Sequence, residues 1–167
     1  MGPKGRLTTT LSVALAMIVL PLAAEAQLAK RGTYASHFAW QQAPKSMPLG
    51  TDRTLVVYEV TGTHLNDAGS GFLHGAAVVC HGMNDILKGL ANNRGHCTAT
   101  DRDGDKAFVG YECRSSQPGG RCEGELQWVG GTGKYTGLTG KSTWYPVGAP
   151  GGAYGYSVWK GEWQLPD

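Results

Sequence analysis

The run GGTGKYTGLTG, Gly130–Gly140, decides how this chain is read. Five of its eleven residues are glycine, yet Tyr135 and Leu138 sit among them as apolar anchors. Strand-like runs flank it, Glu125–Val129 before and Ser142–Val147 after. A glycine-rich connection between strands, pinned by one aromatic ring, predicts a tight corner packed under a β-barrel or sandwich. Glycine-rich runs also cradle phosphates where they open a helix, but no long helical pattern follows this one. Lys134 is not followed by Ser or Thr, as a phosphate loop requires. The run is therefore a structural motif, carried by Gly130, Gly131, Gly133, Tyr135, Gly137 and Gly140.

Working outward, the neighbouring segments alternate as strands do. In Arg121–Val129, Cys122, Gly124, Leu126 and Trp128 share one side, and Glu123, Glu125 and Gln127 share the other. One face is buried and the other wet. Ala107–Arg114 puts Ala107, Val109, Tyr111 and Cys113 together. In Tyr154–Leu165, Trp159, Gly161 and Trp163 alternate with Lys160 and Glu162. DRDGDK (Asp101–Lys106), SSQPGG (Ser115–Gly120) and the stretch Gly148–Gly152 read as turns between these strands. Towards the N-terminus, Arg53–Thr61 is rich in β-branched and aromatic residues, and both its faces are largely apolar. Phe72–His81 and Gly95–Thr100 read as strands. Gly82–Asn93, interrupted by Gly89, reads as an irregular excursion between them. Tyr34–Gln41 reads as an edge strand ended by Pro44 and Pro48. Seven or eight short strands at regular spacing, with almost no helix, predict an all-β barrel or sandwich, and the sequential hairpins favour a single eight-stranded antiparallel up-and-down β-barrel. Such a barrel has an interior just wide enough for side chains or one small ligand.

The first 26 residues have the pattern of a secretory signal peptide. Lys4 and Arg6 open it, Leu7–Leu22 is apolar, and Ala24-Glu25-Ala26 offers small residues for cleavage. The expected organisation is a leader over 1–26, an N-terminal segment over 27–52 and a barrel domain over 53–167. The expected location is the periplasm or the extracellular medium. Of 15 basic and 13 acidic side chains, Lys4, Arg6 and Glu25 fall in the leader, leaving 13 against 12. No basic stripe is present, so nucleic acid is not an expected partner. After the leader, no segment is long and apolar enough to insert in a membrane.

All four cysteines, Cys80, Cys97, Cys113 and Cys122, lie beyond the leader. An even count in an exported chain reads as two disulfides. Of the three possible connectivities, Cys80–Cys97 with Cys113–Cys122 is preferred, because each pair would staple neighbouring antiparallel strands. There is no CxxC spacing of the kind zinc sites use.

With the strands in place, GGTGKY followed by GLTG resembles the corner that allene oxide cyclases and dirigent proteins carry late in their eight-stranded barrels. The closing strand GYSVWKGEW is similar to the end of such a barrel. YEVTG (Tyr58–Gly62), GHCTATDRDGDK (Gly95–Lys106) and the glycine-rich run together resemble exported bacterial members of this superfamily. The resemblance spans about Tyr58–Leu165 and implies the barrel. It carries no catalytic residue across, so it implies neither the cyclisation nor the radical coupling of the plant proteins.

The residues themselves offer a few candidates for chemistry. Asp101, Asp103 and Asp105 occur at alternate positions, with Glu112 twelfth, as in a calcium loop. Lys106 stands where that loop needs glycine, so a hairpin turn is the preferred reading and no metal is expected. His37, His64, His74, His81 and His96 show no HxH or HxxxH spacing, but His74 and His96 fall on expected strands. Glu59 follows an apolar run, and inside an apolar lumen it would serve as an acid. Tyr58, Glu59, His74, Tyr111, Trp128 and Trp159 are the candidate ligand contacts. No catalytic set, phosphate loop or metal motif is present, and no cofactor is implied. The expected function is binding of a small, mostly apolar molecule in the lumen. The alternatives are a cofactor-free cyclase or isomerase that orients a flexible substrate, and a structural or interaction protein with a filled barrel.

Overall fold

The computed structural model describes residues 28–149 and 152–167. The expected signal peptide lies outside them, as do residues 150 and 151 of the expected turn Gly148–Gly152. Eight strands follow one another: β1 (Arg31–Pro48), β2 (Arg53–Asn66), β3 (Ala76–Leu87), β4 (Leu90–Thr100), β5 (Lys106–Ser115), β6 (Cys122–Gly131), β7 (Thr139–Gly148) and β8 (Tyr154–Gln164). Each pairs antiparallel with its neighbours in sequence, and β1 pairs with β8 to close the barrel. The one short helix among the described residues is a 3₁₀ turn, Gly133–Tyr135.

Closure explains the first strand, which the sequence presents as an edge ending before Pro44. Instead β1 pairs along most of its length with β2, from Ser36 opposite Asn66 to Pro48 opposite Thr54. It pairs with β8 only from Arg31 to Gln41. The amide of Gln42 donates to the carbonyl of Ala153, so even-numbered amides of β1 face β8. Pro44 comes two residues later, where β8 has ended and no amide is required. The barrel domain therefore starts at Arg31, within the segment the sequence sets apart.

The second difference is a hairpin where an irregular excursion is expected. β3 starts four residues later than expected and runs on to Leu87. Lys88 and Gly89 then turn the chain with φ of 50° and 78°, and β4 returns at Leu90. Two consecutive residues with positive φ make the hairpin turn whose twist matches that of the flanking strands.

Two disulfides hold adjacent strands from inside. Cys80 lies directly opposite Cys97 on β3 and β4, with Cα atoms 4.0 Å apart. Cys113 joins Cys122 across β5 and β6, with Cα atoms 5.4 Å apart. The pairing is the one that strand adjacency favours. Each closes a short loop and stabilises the fold by about 3 kcal/mol in the loop-closure model. Disulfides of this kind persist in oxidising surroundings.

Inward residues alternate along every strand, and they divide the lumen into two halves. The lower half is packed solid. Phe72 stacks on Trp163 with ring centroids 4.8 Å apart and meets Trp128 edge-on at 5.2 Å. Tyr34 packs on Phe72, and Leu73, Tyr135 and Leu138 are buried around them. The chain that supplies this plug is the β2–β3 loop together with the glycine-rich corner.

The corner docks on the DRDGDK turn, so two separate features of the sequence form one structure. Gly133 has φ +53°, and a Cβ there would lie 1.8 Å from Asp105 Oδ1. Only glycine lets the backbone approach so closely, and the Lys134 amide then donates to Asp105 Oδ2 at 3.1 Å. The Lys134 ammonium sits 2.7 Å from Asp101 Oδ2 and also pairs with Asp103. Asp101 Oδ1 accepts from the amides of Asp103 and Asp105. Burial works to raise the Asp101 carboxyl, but its bonds to Lys134, the Asp103 amide and Tyr135 together hold it below the usual range.

Candidate functional site

The upper half of the lumen is open. It holds a cavity of about 280 Å³ at the end of the barrel opposite the plug. Its floor and sides are Phe38, Val60, Leu126, Trp144 and Trp159, with the Cys80–Cys97 disulfide in the wall. Nearer the mouth stand Trp40, Gln42, Val56, Asn84, Asn93, Pro146 and Ser157. Trp40 Nε1 donates to Ser157 Oγ at 3.0 Å, and Gln42 Nε2 donates to the Gly152 carbonyl. These two bonds tie β1 to β8 and to the turn before it, and they fix one side of the mouth.

The other side is a polar row. Tyr58 donates to Asn93 Oδ1 and lies 2.8 Å from the Tyr111 hydroxyl. Burial pushes both tyrosine hydroxyls up, and at Tyr111 the adjacent Tyr58 adds to the effect. Both are therefore neutral at physiological pH. The hydroxyl end of Tyr111 sits against Gly95 and Gly82, whose absent side chains leave its room: a Cβ at Gly95 would be 2.4 Å from the Tyr111 oxygen. Any larger residue there would drive the ring into the cavity.

Beneath the floor, His64 is fully buried. Its Nδ1 lies 3.0 Å from the Leu73 carbonyl, which fixes Nδ1 as the protonated nitrogen. Its Nε2 has no partner, and its ring packs 5.3 Å from that of Trp159. Burial lowers its pKa to about 4, against the opposing bond to Leu73. Close by, Tyr34 shares a hydrogen bond of 2.7 Å with Ser142 across β8, and burial pushes its hydroxyl up to about 12.

Three of the sequence candidates meet in the cavity wall: Tyr58, Tyr111 and Trp159. Trp128 lies in the plug, edge-on beneath Trp159 at 6.2 Å. Glu59 does not enter the lumen. It lies exposed on the outer face of β2, 3.0 Å from His81 Nε2. The inward residues of that strand are its even-numbered ones, so the role of an acid in the lumen falls away. His74 sits exposed in the turn before β3 rather than on a strand, and His96 is exposed on the outer face of β4. Asp101, Asp103 and Asp105 are gathered as a loop, but the Lys134 ammonium lies between Asp101 and Asp103. No set of three metal-ligating side chains is placed to hold an ion among the described residues.

The wall also contains residues that sequence reasoning missed. Phe38, Trp40 and Gln42 are on one face of β1 with Tyr34 and Ser36, a period of two that was there to be read. Asn84 and Asn93 carried no such signal, because inward asparagines break the apolar alternation that marks a strand.

The arrangement defines a class: a closed antiparallel barrel plugged at one end, with a small, mostly apolar cavity and one polar row at the other. No protein-family model and no curated protein matches the sequence. Among solved structures the chain is similar to the pterocarpan synthase dirigent protein GePTS1, with a TM-score of 0.50 and 13% sequence identity. The match covers 95% of this chain and 100% of that one. At that identity the likeness shows the fold alone, a closed eight-stranded antiparallel barrel.

Proposed function

We propose that the protein is exported and that its upper lumen binds one small, mostly apolar molecule in a fixed orientation. The cavity carries this reading. An enclosed apolar space of roughly 150 Å³ accommodates benzene, so about 280 Å³ suits a molecule of one or two rings. Small-molecule sites are concave and mainly apolar, with a few polar groups that set orientation. The Tyr58–Tyr111–Asn93 row supplies those groups. The leader and the two disulfides support export.

A second reading, in which the lumen turns its guest over, is favoured by the same row. Tyr58 and Tyr111 remain protonated and lie at one fixed place on the wall. A flexible substrate held against them would lose much of the entropy that opposes cyclisation or isomerisation. The barrel of a dirigent protein named as a pterocarpan synthase has the same architecture. Nucleic acid has no part in either reading.

Native mass spectrometry of the protein purified from its own host tests both. A co-purified small molecule, released on denaturation, supports binding. If the released molecule is converted to an isomer of equal mass on incubation with fresh protein, the second reading gains. Protein that carries no guest and takes up no small aromatic probe would remove both.

A further inference from the structure

Among the described residues the upper lumen offers no ionised neighbour to its occupant: none of the side chains that line it is Lys, Arg, Asp, Glu or His. A carboxylate or an ammonium drawn in would lose its water and gain no counter-charge, so the buried part of the occupant is neutral.

The polar row then sets the direction of hydrogen bonding. Tyr58 donates its proton to Asn93 Oδ1. The 2.8 Å bond between the two tyrosine oxygens is therefore donated by Tyr111. Both hydroxyl protons are committed along the row, and the Tyr111 oxygen is left with lone pairs only. Asn84, directly opposite Asn93 across β3 and β4, also lines the cavity, and its Oδ1 is buried without a partner. A buried carbonyl oxygen without a donor is unfavourable, and a guest that supplies the donor removes the penalty.

We infer that the lumen selects an uncharged molecule whose buried polar end, an alcohol by chemical class, donates a hydrogen bond to Asn84 Oδ1. This rests on the reading of the upper lumen as a binding site. An alcohol donates while remaining neutral. An aldehyde, ketone or ester of the same shape can accept from the wall but leaves Asn84 Oδ1 without its donor, and an acid brings a charge.

Three probes that share one ring system separate these cases: 2-naphthylmethanol, 2-naphthaldehyde and 2-naphthoate, titrated calorimetrically into the oxidised protein. The alcohol is expected to bind about tenfold more tightly than the aldehyde, the scale of one satisfied buried hydrogen bond. The acid is expected not to bind. In Asn84→Leu the advantage of alcohol over aldehyde shrinks to less than about threefold while both still bind, because the ring contacts persist. Should Asn84→Leu lose its fold by circular dichroism, Asn84→Ala removes the same acceptor and gives the same comparison. If the aldehyde binds as tightly as the alcohol, or the acid binds in the lumen, the donor assignment is wrong while the lumen remains a binding site. If no probe binds the unmodified protein, the binding-site reading falls and this inference with it.

Discussion

Lowering the pH should destabilise this barrel through His64. In the folded chain its Nδ1 is committed to Leu73, its Nε2 is buried without a partner, and burial lowers its pKa from 6.5 to about 4. In the unfolded chain the ring titrates at its ordinary value, near 6.5. The neutral ring is thus a stabilising feature that is fully present above about pH 6.5. Between the two values the unfolded chain binds a proton that the folded chain refuses, so stability falls as pH falls. The loss is complete once pH has passed through about 4. A shift of this size corresponds to about 3 kcal/mol at about 1.4 kcal/mol per pH unit. For a domain of this length that is roughly 10 °C in melting temperature. The assay is urea unfolding from pH 7.5 to 4, followed by tryptophan fluorescence, for the natural protein and for His64→Gln. Glutamine cannot titrate, so the comparison rests on the two pH slopes and not on the offset between the proteins. The natural protein should lose about 3 kcal/mol more than the variant across this range. Equal slopes would refute the burial of a neutral imidazole at this position.

Other consequences follow from the plug and the staples. Gly133→Ala places a Cβ against the Asp105 carboxylate at φ +53°, and chemical denaturation should show a loss of roughly 2–3 kcal/mol. Gly69→Ala, at φ +73° with nothing within 4 Å, should cost only about 1 kcal/mol in the same assay. Replacing Cys113 and Cys122 together by Ala should lower stability by about 3 kcal/mol, read from the urea midpoint under non-reducing conditions. Added calcium should leave the melting temperature unchanged, because the Lys134 ammonium already lies against Asp101 and Asp103. A calcium-dependent rise would contradict that assignment.

The glycine-rich corner and the strands around it were legible because local chemistry and tertiary role agree there. Cys122, Gly124, Leu126 and Trp128 alternate against charged neighbours, and β6 has that parity in the barrel. The cysteine pairing was legible because sequential hairpins put each pair on adjacent strands. The β3–β4 hairpin was hidden for a physical reason. Asn84 and Asn93 face inward, so its alternation reads as polar and broken, and those same residues build one wall of the cavity. On β2 the failure was one of parity. Leu55 and Val57 are half-buried on the outer face, so both faces look apolar and the direction of Glu59 could not be chosen. His64 shows the parity only in retrospect: it is a fully buried polar residue, held in place by a loop carbonyl nine positions along the chain.

The central claim is that the upper lumen is a site and not a packing gap. A crystal structure of the oxidised protein grown with 2-naphthylmethanol tests it most directly. The account predicts density for the rings between Tyr111 and Trp159, with the hydroxyl within hydrogen-bond distance of Asn84 Oδ1. A lumen closed by Trp40 and Trp144 packed against each other, or a probe bound only on the outer wall, would contradict it.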